Sequence, residues 1–167
     1  MKINISIFFI LYTFLFAGDR GYVVEVGDMA PDFEMEFVDG SQSKLSDYQG
    51  QIVILQFTAS WCTVCRLEMP HLEKDVWQTY KSKGVMLIGV DRDEPLETVI
   101  AFQKKIGTTY PLALDPGANI FGLFANKEAG VTRNVVIDKT GKIVFLTRLF
   151  EEQEYQEMLS IIKKLTI

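Results

Sequence analysis

Gln51 to Phe57 reads as a strand that must be covered on both faces, because Ile52, Val53, Ile54, Leu55 and Phe57 leave no polar side for water. Gly50 and Ser60 bound the run, and the chain's two cysteines follow at once, in Trp61-Cys62-Thr63-Val64-Cys65. Their spacing closes a disulfide within one helical turn, so the bond can open and reform without unfolding the chain. A structural crosslink gains little from so short a loop, since the entropy removed from the unfolded chain grows with loop length. The spacing therefore favours reversible redox chemistry over an inert local disulfide or a pair of buried thiols.

At 167 residues and 48% apolar composition the chain suits one domain with a sizeable core, expected over residues 22–167. A net charge of -5 with scattered lysines and arginines provides no basic stripe, which argues against nucleic acid as a partner. Residues 1–18 have the layout of a secretory signal peptide or N-terminal anchor: Lys2, an apolar run from Ile3 to Phe16, then the small pair Ala17-Gly18. Asp19 occupies the place where a lipoprotein signal would need cysteine. The expected location is therefore exported, in the periplasm or on the extracytoplasmic face of the membrane, with membrane contact only through an uncleaved N-terminal segment. An oxidising compartment allows stable disulfides, so an active pair there needs an outside source of electrons or serves as an oxidant.

Glu34 to Val38 and the turn Asp39-Gly40 predict an N-terminal hairpin. Leu72, Val76 and Tyr80 recur at helical spacing from Cys62 to Lys83, with Pro70 expected to kink the helix and Gly84 to end it. Val85 to Val90 reads as a second buried strand. Leu96, Val99, Ile100 and Gln103 mark the inner face of a further helix, and Tyr110 to Leu114 a short strand. Asn134 to Ile137 and Ile143 to Leu149 flank the turn Asp138-Lys139-Thr140-Gly141. Tyr155, Met158, Leu159 and Ile162 form the stripe of a last helix. Strands alternating with helices before a closing hairpin predict an α/β fold, a central mixed β-sheet flanked by helices.

Ala30-Pro31-Asp32-Phe33, Leu45-Ser46 ahead of Gly50, Ala59-Ser60-Trp61-Cys62, Cys65 with Glu68 and Pro70, and Gly141-Lys142-Ile143 occur in an order and spacing that carry a family signal. Over Gly27 to Leu165 the chain resembles the TlpA/ResA-like thiol:disulfide oxidoreductases, an AhpC/TSA-redoxin-like branch of the thioredoxin superfamily. The resemblance implies a thioredoxin-like fold with an N-terminal β-hairpin extension and an insertion around Pro95 to Phe124. It also implies exchange with protein thiols and disulfides outside the cytoplasm, and an upstream membrane electron donor. One departure stands out. The family's cis-proline loop corresponds to Gly130-Val131-Thr132-Arg133-Asn134, with Thr132 in the proline's place. A cis bond before a non-proline residue costs about 2.5 to 4 kcal/mol, so a trans bond and a reshaped partner-binding loop are expected.

Cys62 belongs at the mouth of the helix, where unpaired N–H groups and the helix dipole favour a thiolate, and is the expected nucleophile. Cys65, one turn deeper, would resolve the mixed disulfide. Glu68, three residues beyond Cys65, shares its helix face and is the candidate general base, set against an ordinary solvated glutamate. Gln56, where thioredoxin carries a buried aspartate, cannot ionise, which adds weight to Glu68. Trp61 would shield the disulfide or belong to the core, and Arg133 would face Cys62 or lie on the surface; with Thr132 these are the expected partner-binding residues. His71 reads as a partly exposed structural side chain. Two cysteines and one histidine do not fill a four-ligand zinc site, and Arg66 stands where a haem-attachment motif has histidine. No metal and no cofactor are expected. Two other functions compete: a peroxiredoxin-like thiol peroxidase, against which Ala59 rather than threonine stands three residues before Cys62, and a Cu(I)-binding thioredoxin-fold metallochaperone.

Overall fold

The computed structural model describes residues 20–167, so the apolar segment over residues 1–18 lies outside the described residues. Among the described residues a seven-stranded sheet runs in the order β2 (Gln42–Lys44), β1 (Glu34–Phe37), β5 (Leu112–Asp115), β4 (Val85–Arg92), β3 (Ile52–Thr58), β6 (Arg133–Ile137), β7 (Ile143–Arg148). The N-terminal hairpin forms as expected, with β1 (Glu34–Phe37) antiparallel to β2 (Gln42–Lys44). The apolar run becomes β3 (Ile52–Thr58), buried at every residue because it lies inside the sheet with both faces covered. It pairs in parallel with β4 (Val85–Arg92), which pairs in parallel with β5 (Leu112–Asp115). On its other side β3 meets β6 (Arg133–Ile137), antiparallel, and β6 continues through the Asp138–Gly141 turn into β7 (Ile143–Arg148).

The alternation of β3 divides the core. Ile52 and Ile54 face one side with Met69, Leu72, Val76, Val99, Phe102, Tyr155, Met158 and Ile162. Val53, Leu55 and Phe57 face the other with Phe121, Phe124, Val135 and Ile137. The first side is covered by α1 (Thr63–His71), α3 (Leu96–Ile106) and α5 (Glu152–Leu165), and the second by α4 (Phe121–Phe124) and the N-terminal stretch. Edge-on contact of Phe57 with Phe121, ring centroids 5.4 Å apart, fills the second side.

Pro70, where the sequence predicts a kink, lies within α1, which continues past it. It withholds one backbone donor, and from Leu72 to Trp77 the helix widens to π spacing before α2 (Gln78–Tyr80), a 3-10 turn and Gly84, which is left-handed at φ 77. The inner face of α3 differs from the expected stripe. Val99 and Phe102 are buried, with Ile106 packed against them, whereas Leu96 is 38% and Ile100 45% exposed. Positions 99, 102 and 106 form a stripe offset from the one read from sequence, set by the sheet face they pack against. Among the described residues no helix is long and apolar enough to cross a membrane.

Candidate active site

The β3 strand ends at Thr58, and the turn Ala59–Trp61 delivers Cys62 to the N-cap of α1. Its Sγ accepts the Cys65 N–H at 3.1 Å, one of the donors that a helix leaves unpaired at its start. Cys62 and Cys65 are joined in a disulfide, with Cα atoms 5.3 Å apart. They differ in access: Cys62 retains 6% exposure and Cys65 none. Trp61 stands beside them 58% exposed, so it is not a core residue.

Beneath this turn lies a buried polar layer between α1 and the sheet. Glu68 is 1% exposed and accepts from Gln56 Nε2 at 3.1 Å, Thr132 Oγ1 at 2.8 Å and Asn134 Nδ2 at 2.6 Å. Gln56 in turn accepts the Tyr110 hydroxyl at 2.6 Å through Oε1. Burial, and then the charge of Glu68, raises the Tyr110 phenol well above its ordinary value, so it remains a donor. Burial also pushes the Glu68 carboxyl up, against the opposing pull of its three neutral donors. The result is a carboxyl disposed to take or give a proton, on the same helix face as the deeper sulfur.

The sequence places Thr132 in a trans loop, and here the structure corrects it: the Val131–Thr132 bond is cis. The residue is completely buried and held from three directions. Its hydroxyl donates to Glu68 and lies 3.4 Å from the Phe57 carbonyl, and its own carbonyl accepts from Leu149 N at 3.1 Å. These contacts hold the loop at the position where the family pattern has proline. Arg133, the next residue, is turned toward the N-terminal stretch. Its Nε donates to the Gly130 carbonyl at 3.0 Å and its guanidinium lies 4.6 Å from the Tyr22 ring centroid. The Tyr22 hydroxyl donates to the Thr147 carbonyl at 2.5 Å and lies 3.2 Å from that of Asn134, so residues before β1 brace the strands that carry Thr132. His71 is 55% exposed through its side chain and packs against Phe150 with centroids 5.0 Å apart.

The structure thus gathers Cys62, Cys65, Glu68 and Thr132 with Gln56, and adds Asn134 and Tyr110, which sequence reasoning missed. Their one signal is a polar residue on a buried apolar strand or beside it. Among the described residues no group of three or more His, Cys, Asp or Glu side chains is placed to hold a metal ion.

The AhpC/TSA family matches residues 26–146 of the chain. A thiol-disulfide oxidoreductase ResA of Halalkalibacterium halodurans is 32% identical over 162 residues, covering 96% of this chain and 89% of that protein. The ResA of Bacillus anthracis is 29% identical over 177 residues and 99% of each chain. Among solved structures, a Bacteroides thetaiotaomicron protein described as a protein disulfide isomerase superposes with a TM-score of 0.85 at 55% identity, over 87% of this chain and 92% of its own. The peroxidoxin BcpB of Mycobacterium tuberculosis, at TM-score 0.69 and 20% identity over 84% and 97%, shares the fold. A disulfide at a helix mouth, a carboxyl beneath it and these relatives agree: the chain belongs to the AhpC/TSA family, as a ResA-like thiol-disulfide oxidoreductase with a thioredoxin-like fold.

Proposed function

We propose that this protein reduces disulfides of exported polypeptides outside the cytoplasm, drawing its electrons from a donor in the membrane. In the reduced enzyme Cys62, at the helix mouth, is the thiolate that attacks the client disulfide. One client sulfur leaves as thiolate, and the other is held by Cys62 as a mixed disulfide. Glu68 takes the proton of the Cys65 thiol, and the Cys65 thiolate attacks Cys62 Sγ. The Cys62–Cys65 disulfide forms, the second client thiolate leaves, and two electrons have passed to the client. Of the proposed partner-binding residues Trp61, Thr132 and Arg133, Trp61 is exposed and offers direct apolar contact, whereas Thr132 and Arg133 are buried and would act only by shaping the loop behind it. The observation that carries the reading is the pairing of a partly accessible sulfur with a fully buried one above a buried carboxyl.

Trapping tests it. A Cys65→Ala variant should accumulate mixed disulfides through Cys62 with exported proteins, and a Cys62→Ala variant should capture far fewer. Equal capture by both would overturn the assignment of roles. The direction of flow is tested separately by the reduction potential against glutathione. A reductase is expected below about -200 mV, and a value near the -120 mV of strong oxidants would reverse it.

A further inference from the structure

On the opposite flank of β3 from Thr132 and Asn134, β4 brings a second carboxyl into the layer beneath α1. Asp91 stands level with Thr58 in the β3–β4 register and, by the alternation of its strand, shares a face with Val85 and Leu87. It is completely buried, and neither carboxyl oxygen receives a hydrogen bond. An ionised carboxylate so placed would bear its desolvation with nothing to offset it.

Glu94, just beyond the strand, is committed elsewhere. Its Oε2 accepts from Ser60 N at 2.5 Å and its Oε1 from Ser60 Oγ at 2.6 Å. The Ser60 carbonyl accepts from Arg66 Nη1 at 2.6 Å, and Arg66 Nη2 donates to Thr63 Oγ1 at 3.0 Å. Every polar group of Ser60 is therefore fixed, two residues ahead of Cys62, whose own N–H donates to the Ala59 carbonyl at 3.1 Å. Glu94, three residues on from Asp91 and just past the end of β4, lies close enough for its carboxyl to act on that of Asp91. Two carboxylates offer only acceptors, so a proton must lie between them for either to hold the other. Glu94 already accepts from Ser60 with both oxygens and Asp91 accepts from nothing, so Asp91 is the member left to supply the donor.

We propose that Asp91 is a carboxylic acid donating its proton to Glu94, and that the pair, acting through Ser60, positions Cys62 independently of Glu68. Burial first, then Glu94 and Asp115, push the Asp91 pKa up to about 8, in keeping with that state. The charged group that acts on the pair from outside is Asp115 of β5, and beyond Ser60 stand Arg66, Glu97 and Lys105. The last three line an adjoining cavity of about 440 Å³ with Ser60. Loss of the proton sets two negative charges side by side, and Glu94 can then keep its hold on Ser60 only against that repulsion.

The role of the pair rests on the exchange chemistry assigned to Cys62, whereas the proton itself can be observed without it. Carboxyl carbon NMR of the oxidised protein, assigned with Asp91→Asn, should show Asp91 titrating as an acid at least a hundredfold weaker than an ordinary aspartate. Ordinary titration overturns the proposal. In the reduced protein, the pH profile of Cys62 alkylation should carry an alkaline inflection that Asp91→Asn removes, because its amide stays neutral and still donates to Glu94. Glu94→Ala should shift the Cys62 midpoint itself. An unchanged profile in both variants overturns the positioning role. Should wild-type Cys62 alkylate like an ordinary thiol, the exchange reading fails, and the carboxyl titration still decides the proton on Asp91.

Discussion

Glu68 has two opposed influences built around it, burial that favours the neutral acid and three donors that favour the anion. Glu68→Gln removes the proposed base and should lengthen the lifetime of the mixed disulfide by about 10²-fold or more, read by quenched single-turnover reaction with a disulfide peptide. Thr132→Val keeps the shape of the side chain and removes the 2.8 Å donor. That donor supports the ionised form, so its loss should raise the Glu68 pKa further. Since the base must be ionised to act, the rise of the resolving rate with pH should move to higher pH in Thr132→Val, and a pH profile of the same single-turnover step checks it.

Among the elements, β4 is the one whose composition is set by its neighbours. A Cβ on Gly89 would meet Leu112 Cδ2 and lie 3.2 Å from Tyr110 Cε2, and Tyr110 is the side chain that holds Gln56. Gly89→Ala should therefore destabilise the fold by about 1 to 3 kcal/mol in urea unfolding, through overpacking that also displaces the Tyr110 ring. The elements themselves were legible. The continuous apolar run of β3, the Asp39-Gly40 and Asp138–Gly141 turns and the stripe of α5 each follow from a local pattern. The inward face of α3 was not, because apolar residues at 96, 99, 100, 102 and 106 fit two overlapping stripes and only the facing sheet chooses between them. The site divides in the same way. Cys62, Cys65 and Glu68 lie within one stretch of helix and could be read from spacing. Asn134 reaches Glu68 on that helix from 66 residues away, and Tyr110 reaches Gln56 on β3 from 54 residues away. Such meetings depend on strand register, which spacing along the chain does not contain. Thr132 is engaged by contacts of the same long-range kind, to Glu68 and Leu149.

At the scale of the molecule, the buried acids make folding a matter of pH. Glu68 and Asp91 both have folded pKa values above the ordinary carboxylate range, so the folded protein retains protons that the unfolded chain has already released. Their burial is then best tolerated at low pH, and stability is lost as pH rises from the ordinary carboxylate range through about 8 for Asp91. Thermal melting of the oxidised protein should show a melting temperature that declines from about pH 5 to pH 9. Asp91→Asn, which cannot ionise, should flatten the decline. A flat wild-type profile would mean that neither acid is held neutral by the fold.

The brace formed before β1 has a practical consequence for handling the protein. Arg20 is paired with Glu154 at 2.7 Å, Val23 N donates to the Phe124 carbonyl at 2.9 Å, and the Tyr22 ring is wedged against Arg133. A bulky carrier fused at this stretch would pull on Arg20 and Tyr22, and through them on the β6 and β7 strands that Tyr22 joins. Ile167, 99% exposed at the far end of the last helix, leaves a carrier room to swing clear. Surface immobilisation through that end should leave the sulfur chemistry as it is in free solution.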